Sequence, residues 1–324
     1  MEAPPPDILH TERDDRYLAM LRAEEEFWDT HIETPLTRTP KPAVQAYLNE
    51  RMTGDPQRRW FEVISDYGNF QRGCMLGAGP GHVEEHLLDR HPGLTLTIMD
   101  ISGGALERLQ ERLDKTYPGR AETRQSDLNF VELPEGAYDL VAANSSLHHI
   151  VNLEHLAFQV NQSLTPEGFF FMEDTVSESY FQFSDGKKHL FQSLMDATQD
   201  GFGQRTNVVW PDRDDWTFSP FESVRSGEIL EILARYLREE RVNGAAALMS
   251  LTIFVRQAAP QPGAPGKLRR LAKRLLARQL RPKMDVVRGK AKGELLFAID
   301  TIICDAGLMP PGLAFGVYRK RMSG

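Results

Sequence analysis

Short apolar runs separated by helical stretches define the middle of the chain. The runs are Cys74–Leu76, Leu94–Met99, Ala137–Ala143 and Phe169–Met172. The helical patterns between them cover residues 81–90, 102–117 and 153–164. Strands that are apolar on both faces need helices on both sides of the sheet. The pattern therefore predicts an α/β domain with a mostly parallel sheet.

The flanking segments follow other patterns. Residues 1–70 are polar and helical with Pro and Gly breaks, which predicts an N-terminal helical cap. The core is predicted to span residues 71–257 and to carry a substrate-side insertion at 174–226, a segment too long for a plain connection. Residues 258–293 are interpreted as a linker and a basic amphipathic segment, and residues 294–324 as the last helix and strand of the core.

Composition changes this picture mainly through charge. The 324-residue chain has a net charge of -8, yet residues 267–292 hold eleven Lys or Arg residues against one acid. The acidic remainder argues against nucleic-acid binding. Because Leu268, Leu271 and Leu275 share one helical face, two interpretations of the basic segment stand. It is a helix docked on the acidic body, or it makes peripheral contact with an anionic membrane surface.

Two further features bear on location and metal chemistry. The N-terminus lacks the basic start and apolar run of a secretory signal, and Ser250 and Thr252 interrupt the longest apolar stretch, so we predict a cytoplasmic protein. Cys74 and Cys304 are the only cysteines, and both lie in apolar segments. This favours two buried thiols and predicts no metal site.

Candidate chemistry begins after the first strand, in the loop Gly77-Ala78-Gly79-Pro80-Gly81. Alternate glycines let the backbone turn tightly and approach a ligand without an intervening Cβ. A strand-to-helix turn with no ligand is the alternative. A dinucleotide fingerprint needs its third glycine one place later, where His82 stands, and this disfavours a nicotinamide oxidoreductase.

Two acids follow at later strand ends. Asp100 closes the second apolar run, where a carboxylate can accept both ribose hydroxyls of an adenosyl ligand. Its alternative role is a helix cap, which Ser102 can fill instead. Asp127 follows a weak strand at residues 122–125, where a carboxylate can bind the amine of adenine. A plain loop acid is the alternative there.

Together these features resemble the class I S-adenosylmethionine-dependent methyltransferases. The matching features, in that family's order, are Gly77–Gly81, Asp100, Asp127, Tyr138–Asn144 followed by Leu147-His148-His149, and Leu164–Gly168. Met75 stands where the family often has an acid, and Glu167 stands where a glycine is usual. The resemblance implies a Rossmann-like fold with a seven-stranded, mostly parallel sheet and helices on both faces. It also implies S-adenosylmethionine as the cofactor and S-adenosylhomocysteine as the product.

The resemblance further implies which residues hold the cofactor. The implied contacts are the glycine loop for the methionine part (Gly77, Ala78, Gly79, Gly81), Asp100 for ribose, Ile101, Leu128 and Asp127 for adenine, and Asn144 at the fourth strand end. Residues 49–55, 181–185 and 219–226 are similar to methyltransferase domains of bacterial glycan pathways. A sugar or glycan acceptor is therefore expected.

The acceptor should lie beyond the ends of the fourth and fifth strands. His148 and His149 are the candidate general bases, since histidine titrates near neutral pH, and simple packing is their alternative role. Glu173 is a third catalytic candidate. Asp174 and Arg225 are candidates for substrate binding, with a solvated acid and a surface arginine as the alternatives.

Two other residues receive structural interpretations. Glu222 ends Ser219-Pro220-Phe221-Glu222, which has the sequence of a helix capping box with proline at the first helical position. Trp28 is interpreted as a core residue.

Three functions remain open from the sequence. The leading one is O-methylation of a sugar, glycan or related small molecule by in-line methyl transfer. N-methylation of a small metabolite is the close alternative. A catalytically inactive protein that binds S-adenosylmethionine for regulation belongs to a different class.

Overall fold

The computed structural model describes residues 13–31, 42–79, 81–197, 206–210, 219–257 and 293–322. The chain divides into two compact units. The first comprises Met1–Gln182, Asp212–Ala245 and Pro310–Gly324, and the second comprises Phe183–Pro211 and Ala246–Met309. The sequence predicted one core that extends to residue 257, whereas residues 246–257 belong to the second unit. In the described ranges, no helix has both the length and the apolar character needed to cross a bilayer.

The described strands and helices alternate through the middle of the chain. In chain order the strands are β1 (Arg72–Leu76), β2 (Thr95–Asp100), β3 (Ala121–Gln125), β4 (Tyr138–Asn144), β5 (Leu164–Thr175), β6 (Thr206–Val208), β7 (Leu237–Ala245), β8 (Val255–Gln257) and β9 (Leu313–Lys320). The helices are α1 (Asp15–His31), α2 (Pro42–Thr53), α3 (His82–Arg90), α4 (Gly103–Thr116), α5 (Leu153–Ser163), α6 (Asp185–Ala197), α7 (Ile229–Tyr236) and α8 (293–305).

The first unit is built on a seven-stranded sheet with the order β3-β2-β1-β4-β5-β9-β7. The neighbouring pairs among β1 to β5 are all parallel, and β9 runs antiparallel to both β5 and β7. The predicted Rossmann-like, mostly parallel sheet is therefore confirmed. The strand order reverses between β1 and β4, and ligands of such sheets bind at the carboxyl ends of the strands beside this point.

The central strands are apolar because both of their faces are covered. Leu140, Phe170 and Phe171 have no exposed surface. One face packs against α5 and α7 through a cluster that includes Phe170, and Phe171 on the other face contacts Tyr67 and Phe70. The edge strand β3 is polar, since most of its side chains remain accessible. This explains why β3 gave only a weak sequence signal.

Several local predictions are refined by the structure. Ser102 caps α4 by accepting a hydrogen bond from the backbone nitrogen of Ala105 at 3.1 Å. The helix cap considered as an alternative role for Asp100 is thus filled by Ser102. The fifth strand extends to Thr175, so Glu173 and Asp174 are inside it. The apolar stretch that Ser250 and Thr252 interrupt forms a 3-10 segment at Met249–Phe254.

The second unit has its own apolar cluster. Phe183, Phe191 and Phe254 surround Trp210 with ring-centroid separations of 5.9 to 6.3 Å. The buried carboxylate of Asp300 in α8 accepts hydrogen bonds from the backbone nitrogens of residues 248 and 249. The basic segment 267–292 lies outside the described residues, and its contact with a membrane stays a prediction.

We expect the core of the first unit to be sensitive to truncation. Replacing Leu140 with Ala should lower the free energy of unfolding by about 2–5 kcal/mol, since the cavity would lie between covered faces of the sheet. Leu308, whose side chain is 66% exposed, is the control. Leu308→Ala should change the free energy of unfolding by less than about 0.5 kcal/mol. Urea unfolding monitored by tryptophan fluorescence measures both. Equal effects would contradict the described packing.

Candidate cofactor and acceptor site

The loop between β1 and α3 turns at three glycines. Gly77, Gly79 and Gly81 have φ angles of +88°, +48° and +79°, in the left-handed region that favours glycine. A Cβ at Gly77 would collide with the side chain of Ser146, whereas a Cβ at Gly79 would meet no heavy atom within 4 Å. Gly77 is therefore required by the protein's own packing, and Gly79 borders open space that a ligand can enter.

Asp100, at the end of β2, fixes this loop. Its Oδ2 accepts a hydrogen bond from the backbone nitrogen of Ala78 at 2.7 Å, and its Oδ1 accepts one from Ser102 at 2.8 Å. Burial raises the pKa of Asp100 although these backbone donors favour its charged form. The acid predicted to bind ribose is thus also a structural element of the glycine loop. Ile101 follows it, half-buried.

Asp127 lies after β3 and is covered by α1. The hydroxyl of Tyr17 donates to both carboxylate oxygens at 2.8 and 3.0 Å, and Asn129 donates its backbone nitrogen to Oδ1 at 3.0 Å. Arg13 lies 3.5 Å away. Tyr17 was missed by sequence reasoning, because nothing local links it to a residue 110 positions later. The adenine contact at Asp127 and the neighbouring buried Leu128 stays a prediction.

Helix α1 crosses the ends of several strands. Asp29 accepts from the hydroxyl of Ser102 at 2.5 Å at the start of α4, and Glu25 accepts from the side chain of Gln125 at 2.7 Å at the end of β3. Glu24 lies at the end of β4, where it meets His149. The predicted N-terminal cap therefore supplies side chains to the candidate site.

The turn after β4 joins the glycine loop to the acceptor side. Asn144 ends the strand, and Ser145 has a φ of +49°. The hydroxyl of Ser146 donates to the carbonyl of Leu76, the last residue of β1, at 2.6 Å. This contact holds the residues after β4 against the start of the glycine loop.

Asp174 organises the same turn from β5. Its Oδ2 accepts from the backbone nitrogens of Ser146 at 2.9 Å and Leu147 at 2.7 Å, while its Oδ1 lies 2.6 Å from Nδ1 of His148. The side chain is fully buried. The structure therefore gives Asp174 a positioning role in the turn after β4. Its predicted substrate contact stays a prediction.

His148 and His149 lie side by side, with ring centroids 4.1 Å apart. Nδ1 of His149 is 3.1 Å from Oε1 of the buried Glu24. Nε2 of His148 is 3.6 Å from Oε1 of Glu222, and Nε2 of His149 is 3.8 Å from Oε2 of the same residue. Trp28 packs edge-on against His149 and donates to Glu24 at 2.7 Å. The two predicted histidines thus meet three carboxylates.

Glu222 is a second residue whose role the sequence did not predict. No helix begins at Pro220, since residues 220–225 form turns and the next helical segment starts at Ser226. The capping-box interpretation was wrong. The hydroxyl of Ser219 lies 3.4 Å from Nδ1 of His149, and the backbone nitrogen of Val224 donates to the carbonyl of His148 at 3.1 Å. These contacts hold Glu222 beside the histidines.

The charges of this cluster act on each other strongly. Burial disfavours the charged form of His148, but Asp174 and Glu222 outweigh it and raise its pKa to about 9. For Glu24, burial opposes ionisation, yet the hydrogen bonds and charge of His149 and the backbone nitrogen of Phe221 bring its pKa below the ordinary value. A protonated His148 therefore offsets part of the carboxylate charge at neutral pH.

Two other predicted residues lie apart from this cluster. Glu173 alternates to the opposite face of β5 from Asp174, where the hydroxyl of Ser145 donates to it at 3.3 Å. Burial and the charge of Asp174 raise its pKa to about 7. Arg225 is paired with Glu154 at 2.7 Å and Glu228 at 2.6 Å. Its guanidinium ties residues 219–226 to α5, and its predicted substrate role stays a prediction.

Comparison with known proteins agrees with this geometry. Residues 75–170 match the family model described as a methyltransferase domain. The hybrid PKS-NRPS synthetase fsa1 of Fusarium sp. (strain FN080326) is 35% identical over 108 residues, which are 32% of this chain and 3% of that protein. Trans-aconitate 2-methyltransferase of Paracidovorax citrulli is 36% identical over 94 residues, 29% of this chain and 34% of that protein.

The chain contains a methyltransferase domain at residues 75–170, built on a Rossmann-like sheet. The matched residues include the glycine loop, Asp100, Asp127, His148 and His149. A structure of Haemonchus contortus phosphoethanolamine N-methyltransferase 2 with S-adenosylmethionine aligns with a TM-score of 0.48 and 14% identity, over 92% of this chain and 60% of that one. The chain spans less than two thirds of the length of each of these relatives.

The glycine loop offers a matched pair of substitutions. Gly77→Ala and Gly79→Ala both place a Cβ on a left-handed residue, which costs about 1–2 kcal/mol. Only Gly77→Ala adds a collision with Ser146. We expect Gly77→Ala to lower the unfolding midpoint in urea clearly more than Gly79→Ala. Equal midpoints would contradict the close approach of the loop to the residues after β4.

Glu84, in the first turn of α3, makes stability depend on pH. Its side chain is 1% exposed, and burial raises its pKa to about 8. Between the pKa of the unfolded chain, near 4.5, and about 8, the folded state holds a proton that the unfolded state releases. This contribution to stability is therefore lost as the pH rises through that range.

We expect Glu84→Gln to remove this dependence. Relative to wild type, the variant should gain stability steadily between pH 5 and about pH 8 and show no further relative gain above it, measured by urea unfolding at each pH. Glu107→Gln, at an exposed position of α4, is the control and should follow wild type. A constant difference between wild type and Glu84→Gln would contradict the buried, protonated carboxyl.

Proposed function

We propose that the protein transfers the methyl group of S-adenosylmethionine to a hydroxyl of a sugar, glycan or related small-molecule acceptor. The observation that carries this proposal is the contact between Ser146 and Leu76. It joins the glycine loop to the turn that bears His148 and His149, so the cofactor side and the acceptor side share one edge of the sheet. A cofactor-binding protein without an acceptor site has no need of this second cluster.

The residues of the cofactor side fit an adenosyl ligand. Gly79 borders open space, and Asp100 lies at the end of β2, where a carboxylate can accept ribose hydroxyls. Asn144 closes β4 on the same edge. Bound S-adenosylmethionine supplies an electrophilic methyl group on a sulfonium. Alignment of the acceptor oxygen with that methyl group can supply roughly 7–11 kcal/mol of the barrier.

The acceptor side has to remove the proton of the acceptor hydroxyl. In the proposed reaction the acceptor oxygen forms a bond to the methyl carbon, the carbon–sulfur bond breaks, and the electron pair stays on sulfur. The hydroxyl proton is accepted by a base within the cluster of His148, His149 and Glu222, whose side chains are 9, 13 and 16% exposed. Partial exposure leaves this cluster accessible to an acceptor while Asp174 and Glu24 hold the rings in place.

The relatives support the acceptor class only broadly. The name of trans-aconitate 2-methyltransferase gives a small-molecule acceptor. The name of malonyl-[acyl-carrier protein] O-methyltransferase of Acetivibrio thermocellus gives oxygen as the methylated atom. The sugar or glycan acceptor is our proposal from the resemblance of residues 49–55, 181–185 and 219–226. A screen for S-adenosylhomocysteine release across nucleotide sugars, lipid-linked glycans and small amines tests it.

Replacement of the histidines gives the sharpest test of the acceptor side. With a productive acceptor, the double variant His148→Ala/His149→Ala should lower turnover by at least about 100-fold, the usual minimum for loss of acid–base assistance. Its affinity for S-adenosylmethionine should stay close to that of wild type in calorimetry. His189→Ala, at an exposed position of α6, is the control. Circular dichroism checks folding, and unchanged turnover in a folded double variant would rule out this role.

A further inference from the structure

When His148 and His149 are neutral, the atoms that face one another in the cluster are all hydrogen-bond acceptors. Nδ1 of His148 and Nδ1 of His149 lie 2.6 and 3.1 Å from carboxylate oxygens of Asp174 and Glu24. In a neutral imidazole, the nitrogen beside a carboxylate carries the proton, so the other nitrogen presents a lone pair. Both Nε2 atoms therefore direct lone pairs toward the carboxylate of Glu222.

The separations of these atoms are too long for hydrogen bonds. Nε2 of His148 and of His149 are 3.6 and 3.8 Å from the oxygens of Glu222, whereas N–H···O bonds are about 2.7–3.2 Å long. Ligands bound to a tetrahedral ion at about 2.0–2.1 Å lie roughly 3.3–3.4 Å apart. One ligand atom from each of the three residues lies within 4.8 Å of the others. Small inward shifts would close this set around a cation.

The outer partners of the histidines match those of metal sites. A histidine that binds a metal nearly always donates its other ring nitrogen to a carboxylate, carbonyl or water, which fixes the ring and strengthens the ligand. Here both rings have such a carboxylate, and both carboxylates are fixed in turn. Asp174 accepts from two backbone nitrogens, and Glu24 accepts from Trp28 and from the backbone nitrogen of Phe221.

The charge of the cluster also favours a cation. When both histidines are neutral, as metal binding requires, Glu24, Asp174 and Glu222 bring three negative charges together with side chains at most 16% exposed. Within the described stretches, no lysine or arginine is found among the hydrogen-bond or ion-pair partners of these carboxylates. Buried carboxylates require pairing or a metal ion, because their desolvation is costly.

We propose that His148, His149 and Glu222 form a binding site for one divalent transition-metal ion. Two imidazole nitrogens and one carboxylate favour Zn²⁺ or Fe²⁺ over Mg²⁺, which prefers oxygen ligands and retained water. Three protein ligands leave at least one coordination position open, as in catalytic metal sites. The site was not predicted from the sequence, since Glu222 lies more than seventy positions after the histidines.

The metal would bind the oxygen of the acceptor, and this role rests on the proposed methyl transfer. A hydroxyl coordinated to a divalent cation loses its proton more readily. With the metal bound, the histidines are ligands and cannot accept that proton, so it passes to solvent. The oxygen attacks the methyl carbon, and the carbon–sulfur bond breaks with its electron pair remaining on sulfur. Metal binding itself requires no acceptor and no cofactor, so it is measured independently of the reaction.

Titration of the full-length chain with Zn²⁺, after treatment with a chelator and dialysis, tests the proposal. Calorimetry should give one site per chain, and Mg²⁺ should bind at least tenfold more weakly. Glu222→Gln and His149→Gln should each weaken Zn²⁺ binding at least tenfold. Asp174→Asn should weaken it roughly 10- to 100-fold, because it removes the outer partner of His148. Loading with Co²⁺ adds a second readout, since the visible bands of nitrogen coordination should shift in His149→Gln.

Matched controls separate this site from surface binding. His189→Gln and Glu231→Gln change exposed residues of α6 and α7, and each should bind Zn²⁺ as wild type does. Absence of a stoichiometric site in wild type, or equal affinity in wild type, Glu222→Gln and His149→Gln, would overturn the proposal. Release of S-adenosylhomocysteine by a chelated protein that binds no Zn²⁺ would overturn the metal site and leave methyl transfer intact.

Discussion

The buried carboxylate of Asp174 is the interaction on which the candidate site depends. One of its oxygens receives two backbone nitrogens of the turn after β4, and the other holds His148. A charged carboxylate with no exposure is tolerated only when its oxygens have such partners. The side chain therefore dictates the path of the turn. The hydrogen bond from Ser146 to the carbonyl of Leu76 then holds this turn against the start of the glycine loop.

The same constraint explains why two functions meet at one edge of the sheet. The strand order reverses between β1 and β4, so the glycine loop after one strand and the histidines after the other become neighbours. Helix α1 then adds Glu24 to the histidines and Tyr17 to Asp127. Helix α1 therefore contacts both the predicted adenine side and the acceptor side, and the two sides share one helix.

Much of the fold follows from local patterns in the sequence. Buried strands such as β4 are continuous apolar runs, and the glycines of the loop mark backbone angles that other residues rarely adopt. The candidate cofactor residues Gly77 and Asp100 were found for this reason. The exposed strand β3 gave a weak signal because its side chains alternate between half-buried and accessible positions.

The rest of the site depends on contacts between distant parts of the chain. Tyr17, Glu24 and Glu222 have ordinary local surroundings, and only folding brings them to the strand ends. Ser219 to Glu222 even fits a helix start by sequence, but the residues form turns because their partners are His149 and Glu24. Glu173 and Asp174 are adjacent in sequence, and strand alternation sends them to opposite faces.

The most direct test of this account is calorimetric titration of the full chain with S-adenosylhomocysteine and, separately, with NAD. The structure of the glycine loop and Asp100 predicts one S-adenosylhomocysteine per chain, weakened by Asp100→Asn, and no measurable binding of NAD. Tight binding of NAD with no binding of S-adenosylhomocysteine would contradict the account.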